Sequence, residues 1–519
     1  MQRRGFLKTM GLGTAALALP KVLFAGQKAQ ARPNILFIMS DDHAANAISC
    51  YGGMLSKVAK TPNIDRIAAD GVRLTNCFCT NSICTPSRAT ILTGQYSHVN
   101  GVYILSDQLD PDRQNVAKLL QNAGYQTAVV GKWHLKTQPA GFDYWNVLPG
   151  QGRYYDPLLK EKGRLWEPGN AGGQMHKGYA TDIITDISLG WLRNRDPDKP
   201  FFLLCHHKSP HGLWEYATRH AHLYQDVTIP EPASLWEDKS HRVPASRDCV
   251  VTIGELAERM AGRATRGRKG RKWPTGRLDI SGMDEKQKKS AAYQKYLKDY
   301  LRCVAAIDEN VGRMLDYLDR EGLTENTAVI YTSDQGMFLG EHDYYDKRFI
   351  YEESLRMPFL VRYPREIKPH SVNEDIIINA DFAPTFLDLA GEPTPPDMQG
   401  RSLRPNLAGQ TPPDWRTSMY YRYWMHGDRP AHYGVRTKRY KLIFFYSLGL
   451  DKTKGEPMEP GWELYDLEKD PREMKNIYND PLYVNVVKEL KREIFRLKRE
   501  LGDTDEKYPE LVKLREEHL

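Results

Sequence analysis

Several apolar segments of the chain end abruptly in polar and charged residues, and this pattern constrains the fold more than any other feature. Asn34–Met39 is followed by Ser-Asp-Asp-His, and Ala128–Val130 is followed by Gly-Lys-Trp-His. Phe201–Cys205 runs into His-His-Lys-Ser-Pro-His, and Ala328–Ser333 into Asp-Gln-Gly. Such apolar runs, alternating with helical patterns, predict an α/β fold with a mainly parallel sheet. Ligands of open α/β sheets bind beyond the carboxyl ends of the strands, so these four ends predict one shared site.

The length of the chain predicts more than one structural unit. Its 519 residues exceed the roughly 250–300 at which a single core usually stops growing. A proline-rich stretch between Pro393 and Pro413 predicts a boundary, which divides a large domain at 32–395 from a C-terminal subdomain at 396–519. In that subdomain, aromatic segments between 419 and 467 predict a small antiparallel sheet. The helical spacing of Val486–Leu501 predicts one helix packed on it.

The first 31 residues are typical of an export signal. Arg3-Arg4 precedes Gly-Phe-Leu-Lys and the apolar segment Met10–Phe24, and Ala29–Ala31 offers a small-residue cleavage site. Paired arginines in this context resemble the signal read by the twin-arginine export machinery. The alternative is a short membrane anchor, but the apolar run is too short for a comfortable span. We therefore expect no stable membrane span, and a mature chain that begins near Arg32 in the periplasm or outside the cell.

The charge of the chain is compatible with an anionic substrate. The formal net charge is +7, and part of it lies in the predicted signal, which leaves a mildly basic mature protein. A polar insertion between His211 and Tyr293 contains a basic cluster that either grips an anionic polymer or is a solvated surface loop. No nucleic-acid recognition motif accompanies it, so we expect no nucleic-acid partner. The cluster comprises Arg263, Arg266, Arg268, Lys269, Arg271, Lys272 and Arg277.

One of the seven cysteines stands in a distinctive motif. Cys84 begins the run Cys-Thr-Pro-Ser-Arg, which continues as Ala-Thr-Ile-Leu-Thr-Gly. Pro86 and Gly94 are suited to the first turn and the end of a helix, so residue 84 is expected at a helix N-terminus, where anions are favoured. A reactive thiolate would profit from the same position. An odd cysteine count in an exported protein also indicates a free thiol.

Four polar residues at two of the strand ends predict a metal site. Asp41-Asp42 and Asp334-Gln335 each follow a buried strand, where unpaired carboxylates are costly. Either pair alone is compatible with a surface turn, but together they favour a divalent cation bound by oxygen atoms. Ca²⁺ is favoured over Mg²⁺ because the site needs no retained shell of water.

The Cys-x-Pro-Ser-Arg motif with its downstream Leu-Thr-Gly resembles the signature of type I sulfatases. In that family a maturation enzyme oxidises the cysteine to formylglycine (3-oxoalanine). The resemblance covers residues 33–477 and implies an alkaline-phosphatase-like sandwich with a small C-terminal sheet. It also implies that Asp41, Asp42, Asp334, Gln335 and the modified Cys84 ligate the cation. Gln335 stands where many relatives have asparagine or histidine, which bears on the choice of metal.

The same resemblance assigns roles to the remaining polar residues. The hydrated aldehyde carries two hydroxyls, of which one attacks the sulfur of a sulfate ester and the other later expels sulfate. Lys132 and His134 are implied to contact this diol and the sulfate, with His134 as the base for elimination. His211 and Lys347 are implied to contact the sulfate and to protonate the leaving oxygen. Arg88, one helical turn after residue 84, is expected to hold an oxygen of the nucleophile.

Further stretches bear on the substrate. Asn146–Gly152, His207–His211, Phe338–His342 and Glu352–Arg356 look like those of bacterial N-acetylglucosamine-6-sulfatases. The leading hypothesis is an exo-acting carbohydrate sulfatase that removes the 6-sulfate of N-acetylglucosamine from a glycan. Three alternatives remain: a sulfatase for an algal polysaccharide such as ulvan, a phosphonate or phosphate monoester hydrolase, and a non-catalytic glycan-binding scaffold with Cys84 unconverted. Lys208 is a possible extra contact, and Trp424 and His426 are candidates for a sugar subsite.

Overall fold

The computed structural model describes residues 32–518 apart from 266–269, 271, 428, 452 and 454. The predicted export signal therefore lies outside the described residues, and so do four members of the basic cluster: Arg266, Arg268, Lys269 and Arg271. The described chain from Arg32 onwards belongs to one compact unit. None of its helices combines the length and apolar character needed to cross a membrane.

A large mixed sheet forms the centre of the molecule. Within the described residues it has eleven strands, in the order β12-β2-β11-β8-β1-β7-β3-β4-β5-β6, with β13 paired to β2. The central strands β8, β1, β7, β3 and β4 are mutually parallel, so their carboxyl ends lie at one edge. The strands of this sheet are β1 Asn34–Ser40, β2 Val72–Phe78, β3 Gln126–Lys132, β4 Tyr144–Leu148, β5 Leu158–Glu161, β6 Gln174–Met175, β7 Phe201–His207, β8 Thr327–Ser333, β11 Arg356–Arg362, β12 Ser371–Asn373 and β13 Ile377–Ile378. Strands β9 Phe338–Leu339 and β10 Tyr345–Asp346 form a separate antiparallel pair.

Helices cover both faces of this sheet, because its central strands are apolar on both sides. In β1, Phe37 packs against helix residues Phe382 and Phe386, whereas Leu36 and Ile38 belong to the core on the opposite face. Buried residues of α1, α5 and the C-terminal part of α8 fill that second core, and those of α2, α4, α10 and the N-terminal part of α8 fill the first. The helices of this region are α1 Pro62–Ala69, α2 Cys84–Thr93, α3 Ser97–Asn100, α4 Val116–Asn122, α5 Ala180–Asn194, α6 Pro244–Arg247, α7 Ile253–Met260, α8 Glu285–Arg320, α9 Glu352–Leu355, α10 Phe382–Leu389 and α11 Arg404–Leu407.

The C-terminal part of the chain adds a four-stranded antiparallel sheet in simple sequential order. Its strands are β14 Ser418–Tyr423, β15 His432–Thr437, β16 Tyr440–Phe445 and β17 Gly461–Asp466. Helix α12, Val484–Leu501, packs on this sheet through buried Leu490 and Ile494. A second helix, α13 Pro509–Glu517, follows it and buries Leu511.

The α/β architecture with a small antiparallel sheet confirms the fold predicted from the sequence. Each predicted central strand forms, and the strands extend one or two residues further than the apolar runs at one end or both. The expectation of a single C-terminal helix was incomplete, because α13 has weak amphipathic character and only Leu511 of the helix is fully buried. All seven cysteines lie within the described residues, and none forms a disulfide.

Candidate active site

The carboxyl ends of the central strands bring the predicted polar residues together. Asp41 and Asp42 follow β1, and Asp334 follows the adjacent β8. Ser40 and Ser333 are directly paired across these two strands, so the carboxylates that follow them start from neighbouring positions. Asp42 adopts a left-handed backbone conformation, with φ of 68°, which turns the chain sharply at the strand end.

Three buried carboxylates form the centre of the site. Asp41, Asp42 and Asp334 each place an oxygen within 4.8 Å of the other two. Burial raises the pKa of Asp334 to about 7, and the charge of Asp41 adds to the rise. Burial also opposes ionisation of Asp41, but the surrounding basic side chains, Lys132 foremost, outweigh it and lower the pKa of Asp41 well below its ordinary value. The cluster thus concentrates negative charge in a place from which water is excluded.

Gln335 completes the set of oxygen donors around these carboxylates. Its amide nitrogen donates a hydrogen bond to Asp42 Oδ1, and its Oε1 is buried with no hydrogen-bond partner among the described residues. Buried amide oxygens are nearly always satisfied, so Oε1 is available to a ligand that the protein does not itself supply. Carboxylate and amide oxygens together are a donor set suited to a hard divalent cation.

Cys84 is the first residue of α2 and lies beside the carboxylates. Its side chain is 1% exposed, and its Sγ lies 3.4 Å from Asp41 Oδ1 and 4.0 Å from both Lys132 Nζ and Gln335 Nε2. Burial raises the pKa of the Cys84 thiol far above its usual value, and Asp41 contributes to the rise. The environment therefore opposes a thiolate nucleophile, the alternative that the sequence left open. Helix α2 ends at Gly94 in a left-handed conformation, as the sequence predicts.

Arg88 and Lys132 hold the carboxylates from two sides. Arg88 Nε donates to Asp334 Oδ2 at 2.9 Å, and its Nη1 donates to the Lys132 carbonyl oxygen at 2.6 Å. Lys132 Nζ is hydrogen-bonded to Asp41 Oδ2 and donates to Gln151 Oε1 at 2.7 Å. Gly131 makes this arrangement possible, since an added Cβ would lie 2.0 Å from the His206 carbonyl oxygen of the neighbouring strand.

His134 contacts the residue next to Cys84. Its Nδ1 lies 3.4 Å from Thr85 Oγ1, and its backbone φ of 57° is left-handed. Burial lowers the pKa of His134 to about 2, and the ammonium of Lys132 adds to this effect. His134 is therefore neutral in the described structure, the state that a proton acceptor requires.

His211 and Lys347 approach the carboxylates from the cavity side. Lys347 Nζ donates to Asp42 Oδ2 at 2.6 Å, and His211 Nε2 lies 3.8 Å from the same oxygen. His211 Nδ1 is 2.7 Å from the Gly212 carbonyl oxygen, which holds the imidazole ring in place. Both side chains, together with Cys84, line a cavity of about 290 Å³ that opens above the cluster.

Some residues of this cavity carry no clear signal in the sequence. Gln151 comes from the loop after β4, and Arg259 and Trp273 come from the polar insertion. The sequence offers Gln151 only as part of a family-like stretch, and Trp273 only as a member of the basic insertion. Arg259, on α7, has no local signal, because its position depends on how the insertion folds over the sheet.

Other candidates from the sequence lie away from the cavity. Lys208 is buried with its Nζ 4.6 Å from the Tyr154 ring centroid, and burial lowers the pKa of Lys208 to about 8. Trp424 is 4% exposed and has the Arg422 guanidinium 3.6 Å from its ring centroid. His426 is buried with its Nε2 2.7 Å from the Glu456 carbonyl oxygen. The structure therefore favours a packing role for Trp424 and His426.

Comparison with known families identifies the family to which the chain belongs. The chain matches the sulfatase family model over residues 33–392 and the N-sulphoglucosamine sulphohydrolase C-terminal model over residues 340–500. The chain belongs to the sulfatase family, and it is a sulfuric ester hydrolase with the alkaline-phosphatase-like fold of that family.

Individual sulfatases are similar to the chain to different degrees. The N-acetylglucosamine-6-O-sulfatase of Bacteroides thetaiotaomicron is 42% identical, over 97% of this chain and 93% of that protein. A structure solved in complex with its substrate D-glucosamine-2-N,6-O-disulfate is also 42% identical and superposes with a TM-score of 0.81, covering 91% of this chain and 99% of the other. An ulvan-active sulfatase of Formosa agariphila is 26% identical over 96% of this chain and 86% of its own length.

Proposed function

We propose that the protein is an exported carbohydrate sulfatase that removes the 6-sulfate from N-acetylglucosamine or a related glucosamine residue of a glycan. The observation that carries this proposal is the position of Cys84 at the start of α2, between Asp41, Lys132 and Gln335 and at the base of a cavity lined by His211 and Lys347. The named activity of the relative that is 42% identical supports the choice of sugar.

Maturation of Cys84 to formylglycine is part of this proposal. A thiol that is buried beside a carboxylate is poorly suited to ionise, whereas a hydrated aldehyde would present oxygen to the same neighbours. When formed and hydrated, formylglycine supplies two hydroxyls: one is the nucleophile, and the other allows sulfate to be expelled. A formylglycine-generating maturation enzyme is therefore an expected partner.

The donor set also fits one divalent cation, for which we favour Ca²⁺ over Mg²⁺. Asp41, Asp42, Asp334 and Gln335 would hold it together with an oxygen of the matured residue 84. Three carboxylates within 4.8 Å of one another and the unpartnered Gln335 Oε1 support this assignment. The cation would supply charge for polarising oxygen at the base of the cavity.

The basic residues have separate roles in positioning, sulfate binding and proton transfer. Arg88 donates hydrogen bonds to Asp334 and to the Lys132 carbonyl oxygen, so it positions two residues that surround residue 84. Lys347, which lines the cavity, and Lys132, whose Nζ is buried 4.0 Å from Cys84 Sγ, would offer ammonium groups to sulfate oxygens. His134 is neutral and accepts a proton beside residue 84, as elimination of sulfate requires. A bound sulfate would favour protonation of His211, which can then donate to the leaving oxygen.

The dimensions and charge of the cavity favour a terminal sugar as the substrate. Its volume of about 290 Å³ is at the small end of the range for ligand pockets, which suits one sulfated monosaccharide unit and exo action. Arg259 and Arg348 line it together with Lys347, whereas Asp42 and Asp346 are its acidic residues. The basic side chains favour an anionic saccharide.

A panel of sulfate esters tests the proposal. Released sulfate would be quantified with N-acetylglucosamine 6-sulfate, its 3-sulfate isomer, D-glucosamine-2-N,6-O-disulfate, ulvan oligosaccharides, and aryl phosphate and phosphonate esters. We expect the highest kcat/KM on the 6-sulfated glucosamines, and no release by Cys84→Ala. Preference for ulvan or for the phosphorus esters would overturn the substrate assignment. Unconverted Cys84 in every tryptic peptide of active protein would overturn the role of formylglycine.

Export is a separate part of the proposal, since it depends on the first 31 residues. The paired arginines at positions 3 and 4 and the Ala29–Ala31 segment support recognition by the twin-arginine machinery and cleavage near Arg32. Periplasmic or extracellular protein that begins near residue 32 is the expected result of cell fractionation and N-terminal sequencing. Replacement of both arginines by lysine should retain the full-length chain inside the cell, and continued export would contradict this assignment.

A further inference from the structure

A second group of buried ionisable side chains lies behind the segment that carries Lys347. His342, Glu353 and Glu473 each offer one ligand atom, and these atoms lie within 4.8 Å of one another. His342 and Glu473 are fully buried, and the side chain of Glu353 is 11% exposed. None of the three belongs to the sulfate-ester site described above.

The atoms that face one another in this group lack hydrogen bonds. His342 Nε2, Glu353 Oε2 and Glu473 Oε1 are buried and have no hydrogen-bond partner in the part of the chain that the structure describes. His342 Nε2 and Glu353 Oε2 are 3.6 Å apart, too far for a hydrogen bond. Glu473 Oε1 forms an ion pair with Lys441 Nζ at 2.7 Å. His342 Nε2 and Glu353 Oε2, unpartnered beside this third carboxylate, indicate a ligand that they share.

The other nitrogen of His342 is held in the manner of a metal ligand. Nδ1 lies 2.5 Å from Glu237 Oε2 and 2.9 Å from Arg242 Nη2. The shorter contact assigns a proton to Nδ1, which donates it to the carboxylate, so Nε2 is the nitrogen that faces Glu353 and would serve as a ligand once it carries no proton. Metal-binding histidines usually donate their second N–H to a carboxylate in this way. Glu237 is itself fixed by Arg242 Nε, which donates to its Oε1 at 2.7 Å.

The charges around the group leave negative charge in excess. Four carboxylates share three lysine or arginine side chains in the described structure, and the fifth, Glu353, has only His342 as an ion-pair partner there. A cation would relieve this imbalance. The carboxylates are Glu237, Glu352, Glu353, Glu463 and Glu473, and the cations are Arg242, Arg436 and Lys441.

We propose that His342 Nε2, Glu353 and Glu473 bind a second metal ion, of the zinc class. One imidazole nitrogen with two carboxylates favours zinc or a similar transition metal over Ca²⁺ and Mg²⁺, which prefer oxygen alone. Ligands of a tetrahedral zinc ion are about 3.4 Å apart, so the 3.6 Å between His342 Nε2 and Glu353 Oε2 is already suitable. Glu353 also lines a cavity of about 450 Å³, which gives the ion a route from solvent.

The ion would connect two parts of the chain. His342 lies in the turn Glu341–Asp343 and Glu353 in α9, so the two flank the segment that carries Lys347. Glu473 follows β17 of the C-terminal sheet and accepts a hydrogen bond from the Glu352 backbone N–H at 2.8 Å. Zinc at this place therefore fastens both ends of the Lys347 segment to the C-terminal sheet.

Metal analysis of the full-length mature protein tests the proposal without relying on turnover. Protein purified without chelators and incubated with equimolar Zn²⁺ should retain about one zinc per chain after gel filtration. His342→Gln and Glu353→Gln should each reduce the retained zinc at least tenfold, as loss of one ligand is expected to do. Glu341→Gln is the matched control, because Glu341 lines the same cavity and supplies no ligand, and its zinc content should equal that of the wild type. Asp334→Asn should also retain the zinc.

Diffraction from the zinc-loaded wild-type protein at the zinc absorption edge supplies a test that needs no variant to fold. An anomalous peak between His342 Nε2 and Glu353 is the expected result. Absence of that peak would overturn the proposal, and so would retention of zinc by both ligand variants. Because neither measurement involves sulfate release, failure of the zinc site and failure of the proposed sulfatase substrate give different results.

Discussion

Removal of the Lys347 ammonium should affect stability and catalysis by separable amounts. Lys347→Met retains most of the length of the stem but removes the charge that contacts Asp42. In the structure Lys347 Nζ donates to Asp42 Oδ2 at 2.6 Å, with side chains only 4% and 1% exposed. The substitution therefore leaves a buried carboxylate without its nearest cation.

The size of the stability loss follows from that burial. Breaking a buried ion pair by removing one partner costs about 3–5 kcal/mol, because the remaining charge is left uncompensated. We expect a loss of this size in metal-free protein, measured as a shift in the urea midpoint at constant slope. If Asp42 ligates a cation, saturating Ca²⁺ should recover a large part of the loss, since a ligand that binds only the folded state stabilises it.

The catalytic effect has a different origin and a different control. A single charged donor aimed at developing negative charge is worth about 100- to 1,000-fold in rate, so kcat/KM of Lys347→Met should fall by that factor even with Ca²⁺ present. Lys347→Arg keeps the charge and should lose less. Activity within threefold of the wild type would refute the assigned contact with sulfate. A metal-free urea midpoint that does not move would refute the assigned contact with Asp42.

Three further substitutions probe other parts of the molecule. Cys84→Ala should abolish sulfate release while the protein still folds, and any residual turnover measured by ion chromatography would contradict its role. His134→Ala should release the alcohol of one substrate per chain rapidly and then turn over about 100-fold or more slowly, as stopped-flow assays would detect, whereas an unchanged steady state would contradict it. Phe386→Ala removes a buried ring 5.3 Å from Phe37 and should cost about 3–5 kcal/mol in urea unfolding. Leu165→Ala, which is 81% exposed, is the control expected to change stability by less than about 0.5 kcal/mol.

The parts of the site that sequence could predict are those tied to strand ends. Asp41 and Asp334 follow strands that are buried throughout and largely apolar, and adjacent parallel strands end at the same edge of a sheet. Their proximity therefore follows from the pattern and the fold class together. The start of α2 was equally accessible, because a proline in the first turn and a glycine at the end define a helix between them.

The remaining contacts depend on packing between distant segments, which local pattern does not encode. Arg259 and Trp273 reach the cavity only because α7 and the chain beyond it fold over the sheet edge. The group around His342 and Glu473 brings together residues that are 131 positions apart in the chain. From the sequence alone, such charged side chains would be assigned to the surface. Glutamates are rarely buried, so their burial here becomes visible only in the folded structure.

The environment of residue 84 supports the proposed conversion of its cysteine to formylglycine. An unmodified thiol beside Asp41 has its pKa raised by burial, so the ionised nucleophile is disfavoured. The same neighbours suit oxygen: Lys132 and Gln335 present donors 4.0 Å from Sγ, and the Gln335 carbonyl oxygen is still unpartnered. The site is therefore electrostatically arranged for a hydroxyl and a cation, and thiol chemistry would use neither. For that reason, the mass of the Cys84 peptide and the metal content of the protein should change together: protein in which Cys84 remains a thiol should bind the cation more weakly, having lost one of five oxygen ligands.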